Sequence, residues 1–256
     1  MRKRALRARM QKLFMEDFTA RDIAEPLLSL DGHNPAGDAL VLMDDQDVRA
    51  VGVRVDGEIA GYLTREDLGE STCQDQMHAF DSASLLAEQT PLREVLEALD
   101  LSEICFVSIL GGPAGVVARE DIQKPPVRMW LFGLIAIMEM NLGRQLEERY
   151  PQASWREVLS PGRLDKALEL LAERSRRNQL VRLSDCLQFT DKAQILIKDP
   201  EVLEEAGFSS KKEAKRAIKD LQSLRNNLAH GQDILSYDWE TILELSRRLD
   251  RIISRI

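Results

Sequence analysis

The sequence has few of the residues that build most metal and redox sites. Its 256 residues include three cysteines and three histidines. Cys73, Cys105 and Cys186 are widely separated, form no Cys-x-x-Cys pair and lie in no His/Cys cluster with the spacing of metal ligands. We therefore expect no disulfide framework and no bound metal. Scattered cysteines in odd number are typical of a reducing compartment, so the sequence predicts a cytoplasmic protein.

Long apolar runs and an excess of positive charge are also lacking. The longest apolar run, residues 129–138, has ten residues, whereas a bilayer span needs about twenty, so we predict no membrane segment. The net charge of −8 argues against a protein that coats nucleic acid non-specifically, and no DNA partner is expected. Residues 1–15 are locally basic and are predicted to form a helical arm, which is either solvated or in weak contact with nucleic acid.

The chain changes character at the consecutive prolines 125 and 126. Before them, short β-type runs alternate with short helical runs, whereas after them the apolar residues follow a helical period. Two prolines in succession interrupt regular structure. The sequence therefore predicts an α+β protein of two domains, with small α/β repeats over residues 16–124 and an all-α bundle of four or five helices over residues 127–256.

The first predicted domain contains an internal duplication. Each copy is predicted to form a strand, a tight turn, a second strand and the start of a helix. The copies end in similar phrases, Gly-Tyr-Leu-Thr-Arg-Glu-Asp from Gly61 and Gly-Val-Val-Ala-Arg-Glu-Asp from Gly115. The Asp-Gly pair at residues 56–57 indicates a two-residue hairpin turn. In the second copy, Gly-Gly-Pro at residues 111–113 is predicted to form the turn.

This repeat resembles a CBS pair, the tandem nucleotide-sensing unit also called a Bateman module. The family signature of Gly, a hydrophobic residue, any residue, Thr or Ser, two residues and Asp matches residues 61–67 in full, while the second copy has Ala118 at the hydroxyl position. The resemblance implies that the Asp accepts hydrogen bonds from a ribose diol. Thr64 and Asp67 are then the expected site for AMP, ADP or ATP, and Asp121 marks a second, weaker one. Alternatively, each Asp only caps a helix.

The stretch Ser-Leu-Arg-Asn-Asn-Leu-Ala-His-Gly, residues 223–231, ends a long amphipathic helix and contains one of the three histidines. A helical wheel places Arg225 inside the apolar arc, between Leu221 and Leu228. A guanidinium that faces a core or an interface requires a partner. The basic stretches at residues 174–182 and 211–219 are predicted to be an RNA-guiding rim or ordinary solvated helix faces.

The helical bundle and this motif resemble the HEPN family, whose hallmark is Arg, four to six residues and His near a helix C-terminus. Arg225, Asn226 and His230 match it. The resemblance implies a homodimer in which two motifs meet and cut RNA without a metal. His230 then acts as general acid or base, Arg225 stabilises charge on the phosphate, and Asn226 orients one of these groups. Alternatively, His230 only interacts favourably with the helix dipole.

The motif carries a geometric condition. Residues five apart on a regular helix point about 140° away from each other. Arg225 and His230 therefore converge only if the helix ends or unwinds near Ala229, where Gly231 favours an ending, or if a second subunit completes the site. Glu139 lies among apolar residues and needs a partner. We expect it to pair with Arg225 or His230, or to face solvent at an edge of the bundle.

The sequence thus predicts a regulatory protein in which an adenine-nucleotide-sensing pair controls a dimeric, metal-independent endoribonuclease. Such control requires that the nucleotide bind two arrangements of the dimer with different affinity. Two alternatives remain open. The helical domain is a non-catalytic scaffold that responds to nucleotide by dimerising or binding a partner, or the repeat is a structural dimer that senses no nucleotide.

Overall fold

The computed structural model describes residue 9 and residues 12–66, 69–234 and 239–254. The chain divides into two compact units. The first unit comprises Met1–Trp130 with Leu235–Leu243, and the second comprises Leu131–Ile234 with Glu244–Ile256. Most of the predicted basic arm lies outside the described residues, although residues 12–16 are helical.

The first unit contains two four-stranded sheets, with the strand orders β2-β3-β4-β5 and β1-β8-β7-β6. Its strands are β1 (Glu25–Pro26), β2 (Ser29–Asp31), β3 (Ala50–Val55), β4 (Glu58–Thr64), β5 (His78–Ala79), β6 (Leu85–Ala87), β7 (Ile104–Ile109) and β8 (Gly112–Ala118). At the centre of each sheet is an antiparallel hairpin, β3–β4 or β7–β8. A parallel strand, β2 or β6, flanks each hairpin on one side. The predicted duplication of small α/β repeats is confirmed.

Helices α1 (Ala36–Gln46), α2 (Cys73–Gln76) and α3 (Leu92–Leu101) accompany the sheets. Met43 of α1 packs with Val53 and Leu63 in the core of the first repeat. Tyr62 and Phe106, from the two central hairpins, lie with their ring centroids 4.4 Å apart. Burial raises the pKa of the Cys105 thiol to about 11, as befits a structural cysteine rather than a nucleophile.

The two hairpin turns are equivalent, and the second differs from its prediction. Asp56 and Gly57 both have positive φ, of 53° and 87°, which is the backbone of a type I′ turn. In the second copy the positive φ values belong to Leu110 and Gly111, at 54° and 91°. The turn is therefore Leu110-Gly111, and Gly112 begins β8. The turn predicted at residues 111–113 was wrong by one position, because leucine rarely adopts the left-handed conformation that Leu110 has.

The second unit is helical. Its helices are α4 (Pro125–Arg149) and α9 (Trp239–Ser254), which both begin in the first unit, and α5 (Pro161–Arg176), α6 (Phe189–Leu196), α7 (Pro200–Glu205) and α8 (Lys211–Ala229). Pro125 and Pro126 form the first turn of α4, where a missing N–H group costs nothing. One cluster of its core surrounds the fully buried Trp155 and Leu146. No strand occurs after residue 126 within the described ranges.

The first unit includes the start of the last helix. Trp239 donates a hydrogen bond from its indole Nε1 to Asp100 at 3.1 Å. The Arg119 guanidinium lies 4.9 Å from the centroid of the same indole, within the range of a cation–π contact. Trp130 is the last residue of the first unit before the chain enters the second. Its indole donates to the Phe14 carbonyl at 2.7 Å. The first unit is therefore discontinuous in sequence.

Helix α8 positions the Arg-x4-His motif, and both of its ends are capped. The Ser210 hydroxyl accepts from the Glu213 backbone N–H at 3.2 Å. The Glu213 carboxylate accepts from the Ser209 hydroxyl and from Arg248, which together lower its pKa to about 2. At the other end, the helix stops at Ala229 and Gly231 adopts a φ of 66°. The ending predicted from the glycine is confirmed.

Candidate functional site

The signature glycines are required by close approach of neighbouring strands. A Cβ atom on Gly61 would lie 2.6 Å from the His78 carbonyl oxygen and 2.9 Å from the Met77 sulfur. Gly115 has the same place in the second copy, where a Cβ would lie 3.1 Å from the Cβ of Ala24. The glycine of the signature therefore has a packing role in this chain, apart from any ligand.

We expect Gly61→Ala to lower the free energy of unfolding by about 1–3 kcal/mol, the usual cost of forcing extra atoms into a packed site. The added methyl group must displace the backbone of β5, because the nearest atom is a carbonyl oxygen. Urea denaturation of the whole chain measures the change. Gly37→Ala is the matched control, since no atom beyond its chain neighbours and its own helix backbone lies within 4 Å of the added Cβ and alanine favours helix. Equal stability of the two variants would contradict the strand-approach argument.

The repeated phrase that follows each signature glycine contains an arginine that holds the end of the preceding helix. Arg65 donates to the Met43 carbonyl at 3.3 Å and pairs with Asp44. In the second copy, Arg119 donates from Nε to the Leu99 carbonyl at 2.9 Å. Both carbonyls belong to the last turns of helices α1 and α3. Sequence reasoning missed this arginine, although its repetition in the two phrases was a usable signal.

Of the predicted nucleotide-binding residues, Thr64 and Asp121 are described and Asp67 lies outside the described residues. Thr64 is the last residue of β4 and is half-buried. One oxygen of Asp121 accepts from the Ala118 backbone N–H at 2.6 Å. The other lies 2.9 Å from the Lys124 ammonium. Both oxygens of the Asp121 carboxylate are therefore engaged within the chain.

Several groups hold the Lys124 side chain beside Asp121. Its ammonium group also donates to the Ile23 carbonyl at 2.6 Å and pairs with Glu25. Burial alone would lower the pKa of Lys124, but the hydrogen bonds to Glu25 and Asp121 outweigh it and raise that pKa. A ribose diol that approached Asp121 would have to compete with a charged, multiply bonded lysine.

The Thr-x-x-Asp spacing also serves as a helix cap in this unit. The Thr19 backbone N–H donates to Asp22 at 2.7 Å. The Thr72 hydroxyl donates to Asp75 at 2.6 Å and lowers the pKa of that carboxyl group. At Asp121 the alternative of a helix cap holds in a different form, because Ala118 is the N-cap residue and Asp121, three residues later, accepts from its backbone N–H.

The end of α8 exposes Asn226 and His230 side by side. The His230 backbone N–H donates to the Asn226 carbonyl at 3.0 Å, and His230 has φ −101° and ψ 8°. The helical register therefore continues through His230, so that Asn226 lies one turn before it on the same face. Arg225 lies five residues before it and points about 140° away. The structure does not bring Arg225 and His230 together within one chain.

Arg225 is exposed in the single chain, so it does not face the core; the interface, which the sequence also allowed, stays a prediction. The buried stripe of α8 ends at Leu224, and Leu228 is only half-buried. The helical wheel gave the direction of Arg225 correctly, but no described residue covers that direction in the last turn of α8. In the described part of the chain the Arg225 guanidinium has no ion pair or hydrogen bond. An uncovered side chain of this kind is available to a second molecule.

Glu139 pairs with Lys192 rather than with Arg225 or His230. Its carboxylate lies 3.6 Å from the Lys192 ammonium, and the side chains are 33% and 8% exposed. The predicted pairing was wrong because Glu139 faces α6 and not the end of α8. Glu139 therefore balances a buried lysine in the helical unit.

Among the described residues, no three His, Cys, Asp or Glu side chains are grouped as metal ligands. Each helix in the same ranges is too short or too polar to cross a bilayer.

Residues 20–70 match the family model described as CBS domain. Three similar solved structures are CBSX2 in complex with AMP, the CBS domains of a transcriptional regulator from Streptococcus pneumoniae, and the CBS domain of the bacterial CNNM/CorC family Mg²⁺ transporter in complex with ATP. Their identities are 18%, 19% and 20%, and their TM-scores are 0.38, 0.36 and 0.36. The matches cover 43%, 41% and 49% of this chain and 97% of each other chain. No curated protein sequence matches the chain.

Proposed function

We propose that the N-terminal CBS pair binds an adenine nucleotide and regulates the helical unit. The observation that carries this proposal is the CBS match to residues 20–70, which contains the complete signature at residues 61–67. Thr64 and Asp67 then contact the ribose and phosphate, since a carboxylate accepts both hydroxyl groups of a diol in charge-assisted hydrogen bonds. The ligand is AMP, ADP or ATP.

The first copy is the better candidate of the two. In the second copy Ala118 offers no hydroxyl group, and Asp121 is engaged with Lys124 and with the Ala118 backbone. We therefore assign Asp121 to the cap of the short helix Arg119–Gln123 and expect one nucleotide site per chain.

Isothermal titration with AMP, ADP and ATP tests this assignment. We expect binding of one nucleotide per chain, and a loss of about tenfold or more in affinity for Asp67→Ala, because a hydrogen bond to a charged group contributes about 1.5–3 kcal/mol. Asp121→Asn is the matched control and should change affinity by less than about threefold. Absence of binding for all three nucleotides, or equal affinity of wild type and Asp67→Ala, would refute the proposal.

A second candidate function concerns the helical unit, and the exposed pair of Asn226 and His230 favours it. We propose that the unit is a HEPN-like endoribonuclease that works as a homodimer. His230 takes the proton of a ribose 2′-hydroxyl, whose oxygen forms a bond to the adjacent phosphorus while the bond to the 5′-oxygen breaks. The proton ends on that leaving oxygen, and the products are a cyclic phosphate and a 5′-hydroxyl. Such a step requires acid–base catalysis but no metal.

The direction of Arg225 on α8 implies that two chains form each active site. Since Arg225 points about 140° away from His230 on the same helix, the guanidinium that stabilises the phosphate charge comes from a second copy of the chain. Nucleotide binding regulates cleavage if it favours one arrangement of the two copies over another. If the protein cleaves no RNA, the helical unit is a scaffold for dimerisation or partner binding.

A further inference from the structure

We infer that one face of α8 binds the phosphate backbone of a single RNA strand and leads that strand to His230. This inference rests on the proposed ribonuclease function and specifies how its substrate is held. The face, here called the lysine face, consists of Lys212, Lys215, Arg216, Lys219, Ser223, Asn226 and His230.

The lysine face is continuous along the helix. At 100° per residue, all of its members fall within about 100° of arc, and His230 is five full turns after Lys212. Every one of these residues is exposed. With a rise of about 1.5 Å per residue, the face extends for about 27 Å from Lys212 to His230. It is therefore long enough for several nucleotides and ends at the proposed acid–base residue.

The charge of this face is positive although the whole chain is acidic. Helix α8 has six basic and two acidic residues, while the net charge of the chain is −8. The acidic residues are already engaged: Glu213 with Ser209 and Arg248, and Asp220 with Arg216 at 4.0 Å. Lys212, Lys215 and Lys219 have no anionic partner in the part of the chain that the structure describes. Their charge is available to an external anion.

Spacing and chemistry favour a nucleic-acid strand as that anion. Successive lysines are separated by three or four residues, which is a rise of about 4.5–6 Å, so long flexible side chains reach one phosphate after another. Lysine binds phosphate as a point charge and reads no base. A single row of such charges holds a strand in register without selecting a sequence. Asn226 and His230 then meet the ribose at the end of the row, which requires the 2′-hydroxyl of RNA.

Fluorescence anisotropy with a labelled 20-nucleotide oligouridylate tests the inference in full-length protein. His230→Ala is the background, so that the RNA stays intact. The variant Lys212→Gln, Lys215→Gln, Lys219→Gln is expected to lose about tenfold or more in affinity. The slope of log K against log salt should also become less steep by about 2, because each phosphate contact on a single strand contributes about 0.7 to that slope.

The matched control removes three positive charges elsewhere in the same unit. Arg156→Gln, Lys166→Gln, Arg176→Gln alters exposed residues outside the lysine face and should retain affinity within about threefold. Equal losses in the two triple variants, or no loss in the lysine variant, would overturn the inference.

Cleavage of total RNA by proteins that retain His230 separates the inference from the function on which it rests. If cleavage requires His230 but is unchanged in the lysine variant, the ribonuclease proposal holds and the lysine face does not bind its RNA substrate. If the lysine variant loses RNA binding and the wild type cleaves no RNA, the lysine face is supported as an RNA-binding surface. The ribonuclease proposal is then refuted.

Discussion

The His230→Ala variant is expected to lose RNA cleavage by a factor of about 10²–10⁴, the usual contribution of a positioned acid or base. The imidazole is exposed at the end of α8, so its removal should leave the thermal midpoint unchanged. Cleavage by wild type should persist in EDTA, since the proposed step needs no metal. RNA cleavage assays with and without AMP, ADP or ATP measure both the activity and its regulation.

Mixing two inactive variants tests whether the site is shared between two chains. In a twofold dimer, Arg225→Ala and His230→Ala protomers place both substitutions in one site and leave the other site intact. If Arg225 and His230 act across the interface, the mixture should recover about a quarter of the wild-type activity, because about half of the dimers are mixed. If they act within one chain, the mixture stays inactive. No cleavage by wild type under any condition would instead favour the scaffold.

The Glu139→Gln variant is expected to lower the free energy of unfolding by about 1–3 kcal/mol. Removal of one partner from a buried ion pair costs about 3–5 kcal/mol because it leaves an uncompensated charge. The Lys192 side chain is 8% exposed and fits that case, whereas Glu139 is 33% exposed, so water reduces the cost. Urea denaturation measures the change.

Two controls distinguish this structural role from a role in positioning His230. Adding Lys192→Met to Glu139→Gln should restore much of the lost stability, because the buried charge is then absent. Glu173→Gln, in the exposed pair with Arg177, should change stability by less than about 0.5 kcal/mol. RNA cleavage per folded molecule should be equal in wild type and Glu139→Gln. Reduced cleavage with unchanged stability would show that Glu139 acts on the site after all.

The two small α/β repeats were predictable from the sequence because their signals are local. A two-residue turn, alternating strands and a repeated phrase specify each copy without reference to distant residues. The turn at Leu110 was not predictable from such local signals, because leucine disfavours the conformation that it adopts there. The internal repeat predicts this turn correctly, since Leu110-Gly111 has the same position in the second copy as Asp56-Gly57 has in the first.

The helical unit was less predictable because its decisive contacts are distant in sequence. The periodicity of apolar residues shows which side chains share a face of a helix. It does not show which other helix packs against that face, or at which residue the packing ends. Arg225 has the direction that the wheel gave and is nevertheless exposed. Glu139 requires a partner, as expected, and Lys192 supplies it from 53 positions further along the chain. Neither outcome is encoded in the local pattern.

The return of Trp239 to the first unit affects how the protein is made on the ribosome. Its indole bonds Asp100 and contacts Arg119, residues that are synthesised more than a hundred positions earlier. Domains usually fold in order as they emerge, but here the N-terminal unit acquires its last contacts only after most of the helical unit has been translated. A fragment that ends at residue 124 lacks both Trp130 and Trp239. The nascent N-terminal unit therefore remains incomplete until the C-terminal helix has been synthesised.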